Sequence, residues 1–165
     1  MQTITAAALA LLLTVFTANP SVAAPPPALR NTVALTAWLD AEDGLARDIM
    51  VEVEVNGNKD WGRASENGRV DLLLPADVVA VILFKKPGHI TKSLSVDTHY
   101  LNDGTFKGKQ RSFSFAVTLE PSNTEEEMAY AGPVGSIAFD KDLGSLVVEH
   151  DQHLVPENRQ QKVVF

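Results

Sequence analysis

The chain has 165 residues, 45% of them apolar, a net charge of −7 at neutral pH and no cysteine. That length and apolar content suffice for one domain with a real core and exclude a chain disordered throughout. An acidic chain with few aromatics is unsuited to nucleic acid or an anionic membrane surface. The lack of cysteine excludes disulfides, thiol catalysis and thiolate metal sites.

Residues 1–24 read as a secretory signal peptide. Ile4 to Ala18 is uncharged and apolar apart from Thr5, Thr14 and Thr17, and Asn19-Pro20 breaks any helix. Ser21 to Ala24 then supplies the small residues that a signal peptidase needs. Pro25 favours cleavage after Ala23 over cleavage after Ala24. The run is short for a membrane span, so no stable insertion is expected once the leader is removed. An uncleaved anchor is the rival reading, because Met1-Gln2-Thr3 carries no Lys or Arg. Residues 25–31 form a stiff proline-rich spacer led by Pro25-Pro26-Pro27.

Residues 32–120 are expected to form an all-β domain. In Thr32 to Asp40, Val33, Leu35, Ala37 and Leu39 share one face. Ile49 to Asn56 puts Val51, Val53 and Val55 on one side and Glu52 and Glu54 on the other, which predicts a strand with one wet face. Asn56-Gly57-Asn58 is a tight-turn signal, and Lys59 to Ser65 follows as an edge strand whose one large apolar residue is Trp61. Glu66-Asn67-Gly68 marks the next turn. Val70, Leu72 and Leu74 then alternate up to Pro75, which cannot donate to a ladder. Leu73 breaks that alternation, so a partly covered outer face is expected. Val78 to Phe84 is apolar throughout and reads as a strand buried on both faces. It is closed by Lys85-Lys86-Pro87-Gly88.

His89 to Asp97 alternates again, with Lys92 on the apolar side, where it must snorkel or sit at the rim. Thr98 to Lys109 is a polar loop containing Asn102-Asp103-Gly104. In Gln110 to Glu120, Phe113, Phe115, Val117 and Leu119 oppose Ser112, Ser114, Ala116 and Thr118. About seven strands with frequent turn signals predict a single antiparallel β-sandwich. Beyond it, residues 121–133 form an acidic linker, in which Thr124 and Glu127 are spaced as a helix capping box; a plain tether is the alternative. Residues 134–151 predict a hairpin turning at Lys141 to Gly144, which would pad an open edge of the sandwich. Residues 152–165 are a polar tail.

The features from Gly44 to Gly88 carry a resemblance. Asp43-Gly44, Val51-Glu52-Val53, Ser65-Glu66-Asn67-Gly68, Leu74-Pro75 and Phe84-Lys85-Lys86-Pro87-Gly88 follow one another in order. This order resembles the carboxypeptidase regulatory-like domain, which has the transthyretin (prealbumin) type of sandwich. Val70 and His89 stand where that family usually has aromatics. The resemblance covers about a third of the chain and rests on turns and core positions. It implies a prealbumin-like fold and an accessory unit without catalytic residues. The family's hydrolase branch, which acts on 5-hydroxyisourate, needs a C-terminal Tyr-Arg-Gly-Ser, whereas the sequence here closes with Lys162-Val163-Val164-Phe165.

Candidate chemistry is sparse. His150, Asp151 and His153 are the densest group of metal-ligand types. On an extended strand, however, positions 150 and 153 face opposite ways, so a turn at Asp151 would be needed to converge them on one ion. Asp140-x-Asp142-x-Gly144 lacks the later oxygen ligands of a calcium loop and reads as a hairpin turn. His89 could titrate near neutral pH, although a loop histidine without a partner is normally exposed. Trp38 and Trp61 are a candidate exposed pair for docking a protein or glycan, and the competing expectation is that Trp38 packs under the C-terminal hairpin. Together these features predict a secreted or periplasmic, non-catalytic module without a cofactor, whose partner is an envelope protein or glycan. The alternative is a small ligand- or metal-binding periplasmic protein.

Overall fold

Period-two alternation becomes strand wherever it runs for five residues or more. The computed structural model describes residues 31–102, 111–122 and 128–156. Its strands are β1 (Thr32–Ala41), β2 (Met50–Val55), β3 (Asn58–Arg63), β4 (Arg69–Pro75), β5 (Val79–Lys85), β6 (Lys92–Asp97), β7 (Arg111–Leu119), β8 (Met128–Tyr130), β9 (Gly135–Phe139), β10 (Leu146–His150) and β11 (Leu154–Pro156). No α-helix forms among the described residues. The predicted leader, the proline-rich spacer up to residue 30, the capping box at Thr124 and Glu127, residues 103–110 of the polar loop and the tail beyond Pro156 lie outside them.

The strands form a three-stranded sheet, β4-β1-β7, a six-stranded sheet, β10-β9-β6-β5-β2-β3, and a small β11-β8 pair. The two large sheets pack as a sandwich. Val33, Leu35, Ala37 and Leu39 of β1 meet Val51, Ala80, Ile82, Phe84 and Val96 of the facing sheet in one buried cluster. Phe84 meets Phe115 edge-on at 6.3 Å between centroids, and Phe113 lies 5.6 Å from Phe139. With no disulfide available, this apolar layer is what holds the sheets together.

The seven strands expected between 32 and 120 are β1 to β7, and the late hairpin is β9 and β10. Five local expectations need correction. The sheets are not antiparallel throughout: β1 pairs with β7, and β6 with β9, in parallel. Parallel neighbours require a long crossover, and both pairs are far apart in sequence. The outer face of β5 is only half covered, with Val79 exposed. Leu73 is exposed as well: among the described residues nothing covers the outer face of the three-stranded sheet there. The face expected to be wet is only partly so: the Glu52 side chain is 1% exposed, because Lys59 and Lys85 fold over it, while that of Glu54 is 39% exposed. The short β8 and β11 fall in segments read as linker and tail; three residues are too few to show an alternation.

The tight turns follow their chemistry. Asn56 and Gly57 both have positive φ between the paired residues Val55 and Asn58, the backbone that a two-residue hairpin demands. Asp140 accepts the N–H groups of Asp142 and Leu143 at 2.9 and 2.8 Å, and Gly144 has φ +63°, so this segment is the simple turn expected.

Candidate functional site

The six-stranded sheet is twice as wide as the sheet facing it, so its outer strands overhang. Beyond the edge of β7 this leaves a groove of about 320 Å³. Its apolar walls are Leu94 from β6, Phe115 and Val117 from β7, Ile137 from β9 and Val148 from β10. Val148 pairs with Ile137, which in turn pairs with Val96, so all three point toward the interior. Val96 is fully buried, whereas Val148 is 47% exposed, because no strand of the smaller sheet reaches across from it.

Two strand edges flank this groove. Among the described residues β7 is hydrogen-bonded to β1 alone and β10 to β9 alone. Among the described residues no further strand pairs along the outer side of residues 112–119 of β7 or of β10, so each is a sheet edge.

One end of the groove is closed by a compact polar set. Lys92 is buried, and its Nζ donates to Glu120 Oε1 at 2.7 Å while lying 5.4 Å from the centre of the Tyr130 ring. Tyr130 donates its hydroxyl proton to Glu120 Oε2 at 3.1 Å. Burial pushes the Glu120 carboxyl upward, but the hydrogen bond and charge of Lys92, together with the bonds from Tyr130 and from its own backbone N–H, outweigh it and the net direction is down. Burial, then the bond to Glu120, pushes the Tyr130 phenol up to about 12. At neutral pH the set is an ion pair capped by a neutral phenol. It offers bound polar groups but no activated nucleophile. Lys92 was the one legible hint of this arrangement, as a cation at an inward position of an alternating strand.

The residues singled out in the sequence are dispersed. Trp38 is 45% exposed on the outer face of the three-stranded sheet, with the Arg69 guanidinium 5.8 Å from its ring centre. Its register partners are Arg69 and Ala116. The expectation that it packs under the C-terminal hairpin is therefore corrected: that hairpin belongs to the opposite sheet. Trp61 is 54% exposed on β3, an edge strand of the six-stranded sheet, with Lys85 Nζ 5.1 Å from its ring centre. The two tryptophans occupy different sheets and form no joint surface.

His89 is not an exposed loop residue. Its side chain is 7% exposed, its Nδ1 lies 3.0 Å from the Pro87 carbonyl, and its Nε2 lies 3.9 Å from Asp43, which also pairs with Lys86. His150 lines the groove. Asp151 instead accepts the His153 N–H at 3.2 Å, and His153 is exposed. Among the described residues no group of three or more His, Cys, Asp or Glu is placed to hold a metal ion. The expected His150–Asp151–His153 ligand set is thus not assembled, because the turn at Asp151 leads the chain into β11 rather than back onto His150. Among the described residues no helix is long and apolar enough to cross a membrane.

No protein-family model matches the sequence, and no curated protein matches it. Solved structures resemble parts of it. A 3-chlorocatechol 1,2-dioxygenase from Rhodococcus opacus is 12% identical over 55% of this chain and 59% of its own, with a TM-score of 0.40. The Bacillus anthracis TIE protein is 11% identical over 76% and 25% of the two chains, with a TM-score of 0.36. A carbohydrate-binding protein, so described provisionally, from Bacteroides uniformis is 11% identical over 72% and 53%, also at 0.36. The match spans less than two thirds of each of these solved chains. All are β-rich domains.

Proposed function

We propose that this chain is an exported, non-catalytic β-sandwich module that docks an extended segment of another envelope protein in the groove between β7 and the β9–β10 hairpin. The observation that carries the reading is the coincidence of an open strand edge with an apolar trough. An added strand would pair with the edge of β10, or with that of β7 from Ser112 onward, while alternate side chains settle against Phe115, Val117, Ile137 and Val148. The occupant is therefore a segment with apolar residues at every second position. Leu146, Val147 and Val148 are consecutive and exposed, a pattern that monomers normally avoid on an edge strand. An accessory role, and membership of the carboxypeptidase regulatory-like group, fit the order of turns and core residues between Gly44 and Gly88. A secreted or periplasmic location fits the leader-like residues 1–24.

The test is site-specific photo-crosslinking in the native envelope. Crosslinkers at Val148 and His150 should capture the same protein through an apolar extended segment, and one at Thr36 should not. Val148→Asp should abolish the adduct formed at His150 while leaving the melting temperature nearly unchanged. Adducts formed only within the chain itself, or equal capture from Thr36, would defeat the proposal.

A further inference from the structure

We propose that the outer face of the three-stranded sheet carries a second site, a platform centred on Trp38 that binds an uncharged oligosaccharide. Trp38 points outward because its neighbours in β1, Ala37 and Leu39, are committed to the core. The next outward residue along the strand is Asp40, and its partner across the sheet is Thr118 of β7. The turn before β4 brings Glu66 and Asn67 to the same place. Together these residues border a shallow recess of about 510 Å³, within the range of about 300–1,000 Å³ typical of ligand sites.

The hydrogen-bond inventory shows what this recess has to offer. Asp40 uses Oδ1 to accept the Ala41 N–H at 2.8 Å. Asn67 Oδ1 accepts the Arg69 N–H at 3.3 Å and lies 2.6 Å from the Ser65 hydroxyl, whose one proton it shares with the Arg69 carbonyl at 2.7 Å. Among the described residues the second oxygen of Asp40, the Glu66 carboxylate, the Asn67 NH₂ and the Thr118 hydroxyl have no hydrogen-bond partner. Acceptors and donors thus stand around a half-exposed aromatic ring. A pyranose is complementary to that arrangement: its C–H face lies on an indole, and its hydroxyls both donate and accept at the rim.

Charge narrows the class. Asp40 and Glu66 repel anionic sugars. The nearby guanidinium of Arg69 does not offset this, because Asp71 holds it through Nε at 3.2 Å and Nη2 at 3.0 Å. The same pairing keeps Arg69 beside the Trp38 ring, 5.8 Å from its centre. A protein partner suits this face less well. One aromatic ring among Thr36, Asp40, Ser114 and Thr118 lacks the contiguous apolar centre of a protein interface.

The experiment uses the full chain carrying Trp61→Phe, so that Trp38 is the only tryptophan. It is titrated with cellohexaose, maltohexaose, the N-acetylglucosamine hexamer and a heparin-derived hexasaccharide, by intrinsic fluorescence and calorimetry. At least one neutral oligosaccharide should bind saturably at millimolar concentration or below, and the heparin fragment should not. Calorimetry on Trp38→Ala should show about tenfold weaker binding or worse at an unchanged melting temperature, while Val148→Asp should bind as the parent does. Absence of binding by all three neutral hexasaccharides, equal binding by Trp38→Ala, or preference for the heparin fragment would overturn the proposal.

Discussion

Lys85 closes over Glu52 on the outward side of the six-stranded sheet, with Nζ 2.5 Å from Oε2. Lys59 reaches the other oxygen, Oε1, at 2.7 Å from the neighbouring edge strand, and Lys85 also lies against the Trp61 ring. A carboxylate on the solvent side of a sheet is in this way taken almost wholly out of water. Its two oxygens each keep a charged donor, which is the condition for burying a charge without a large penalty.

A pH dependence follows from that pair. The hydrogen bond from Lys59, then that from Lys85, hold the Glu52 carboxyl below its ordinary value of 4.5 and outweigh the opposing effect of burial. The folded state therefore binds this proton more weakly than the unfolded chain does. The stabilisation is full above pH 4.5 and is lost as pH falls through the lower folded value. Melting temperatures across acid pH should fall more steeply for the parent than for Glu52→Gln. The variant should be the less stable of the two at neutral pH, where Lys59 and Lys85 lose their shared counter-ion.

Gly68 is irreplaceable for two reasons at once. Its φ is +79°, and a Cβ built there would sit 2.0 Å from the carbonyl oxygen of Leu39, the residue whose N–H donates to Gly68 O at 2.8 Å. Gly68→Ala should cost more than the ~1–2 kcal/mol of left-handed backbone strain alone. Gly57→Ala has similar strain, with φ +78°, but open space around it, and should cost only that strain. Chemical denaturation of the two variants measures the difference.

Phe84 tests whether the inter-sheet layer carries the fold. It is fully buried and meets Phe115 across the sandwich. Phe84→Ala should lose about 3–5 kcal/mol, a large share of the stability of a domain this size. The same truncation at Leu73, exposed on the outer face, should change stability by less than about 0.5 kcal/mol.

The strands were legible because alternation is a local property: Val51 and Val53, or Phe113 and Phe115, declare their face without reference to anything else. What covers the other face is not local. Glu52 looked solvated because its cations come from seven and 33 residues away, on strands whose order in the sheet no periodicity encodes. The parallel placement of β7 beside β1 was hidden for the same reason, and the groove with it. A groove that arises where one sheet overhangs another depends on the relative widths of the sheets, which appear only once every strand has been assigned a neighbour. The tryptophans illustrate both sides. The outward direction of Trp38 could be read from Ala37 and Leu39, but its separation from Trp61 could not, since that depends on which sheet each strand joins.

Tyr130 gives an alkaline counterpart to the acid prediction. Burial first, and the hydrogen bond to Glu120 second, raise its phenol from 10.0 to about 12. The folded state thus retains a proton that the unfolded chain releases. Its contribution to stability is full below pH 10 and is lost as pH rises toward 12. The chain has only one other tyrosine, Tyr100, so absorbance titration can assign the signals. The parent should show one phenolate appearing only near pH 12, and Tyr130→Phe should lack that step. The variant should also lose less stability than the parent between pH 10 and 12. If the step persisted in Tyr130→Phe, the Lys92–Glu120–Tyr130 closure of the groove would not exist as described.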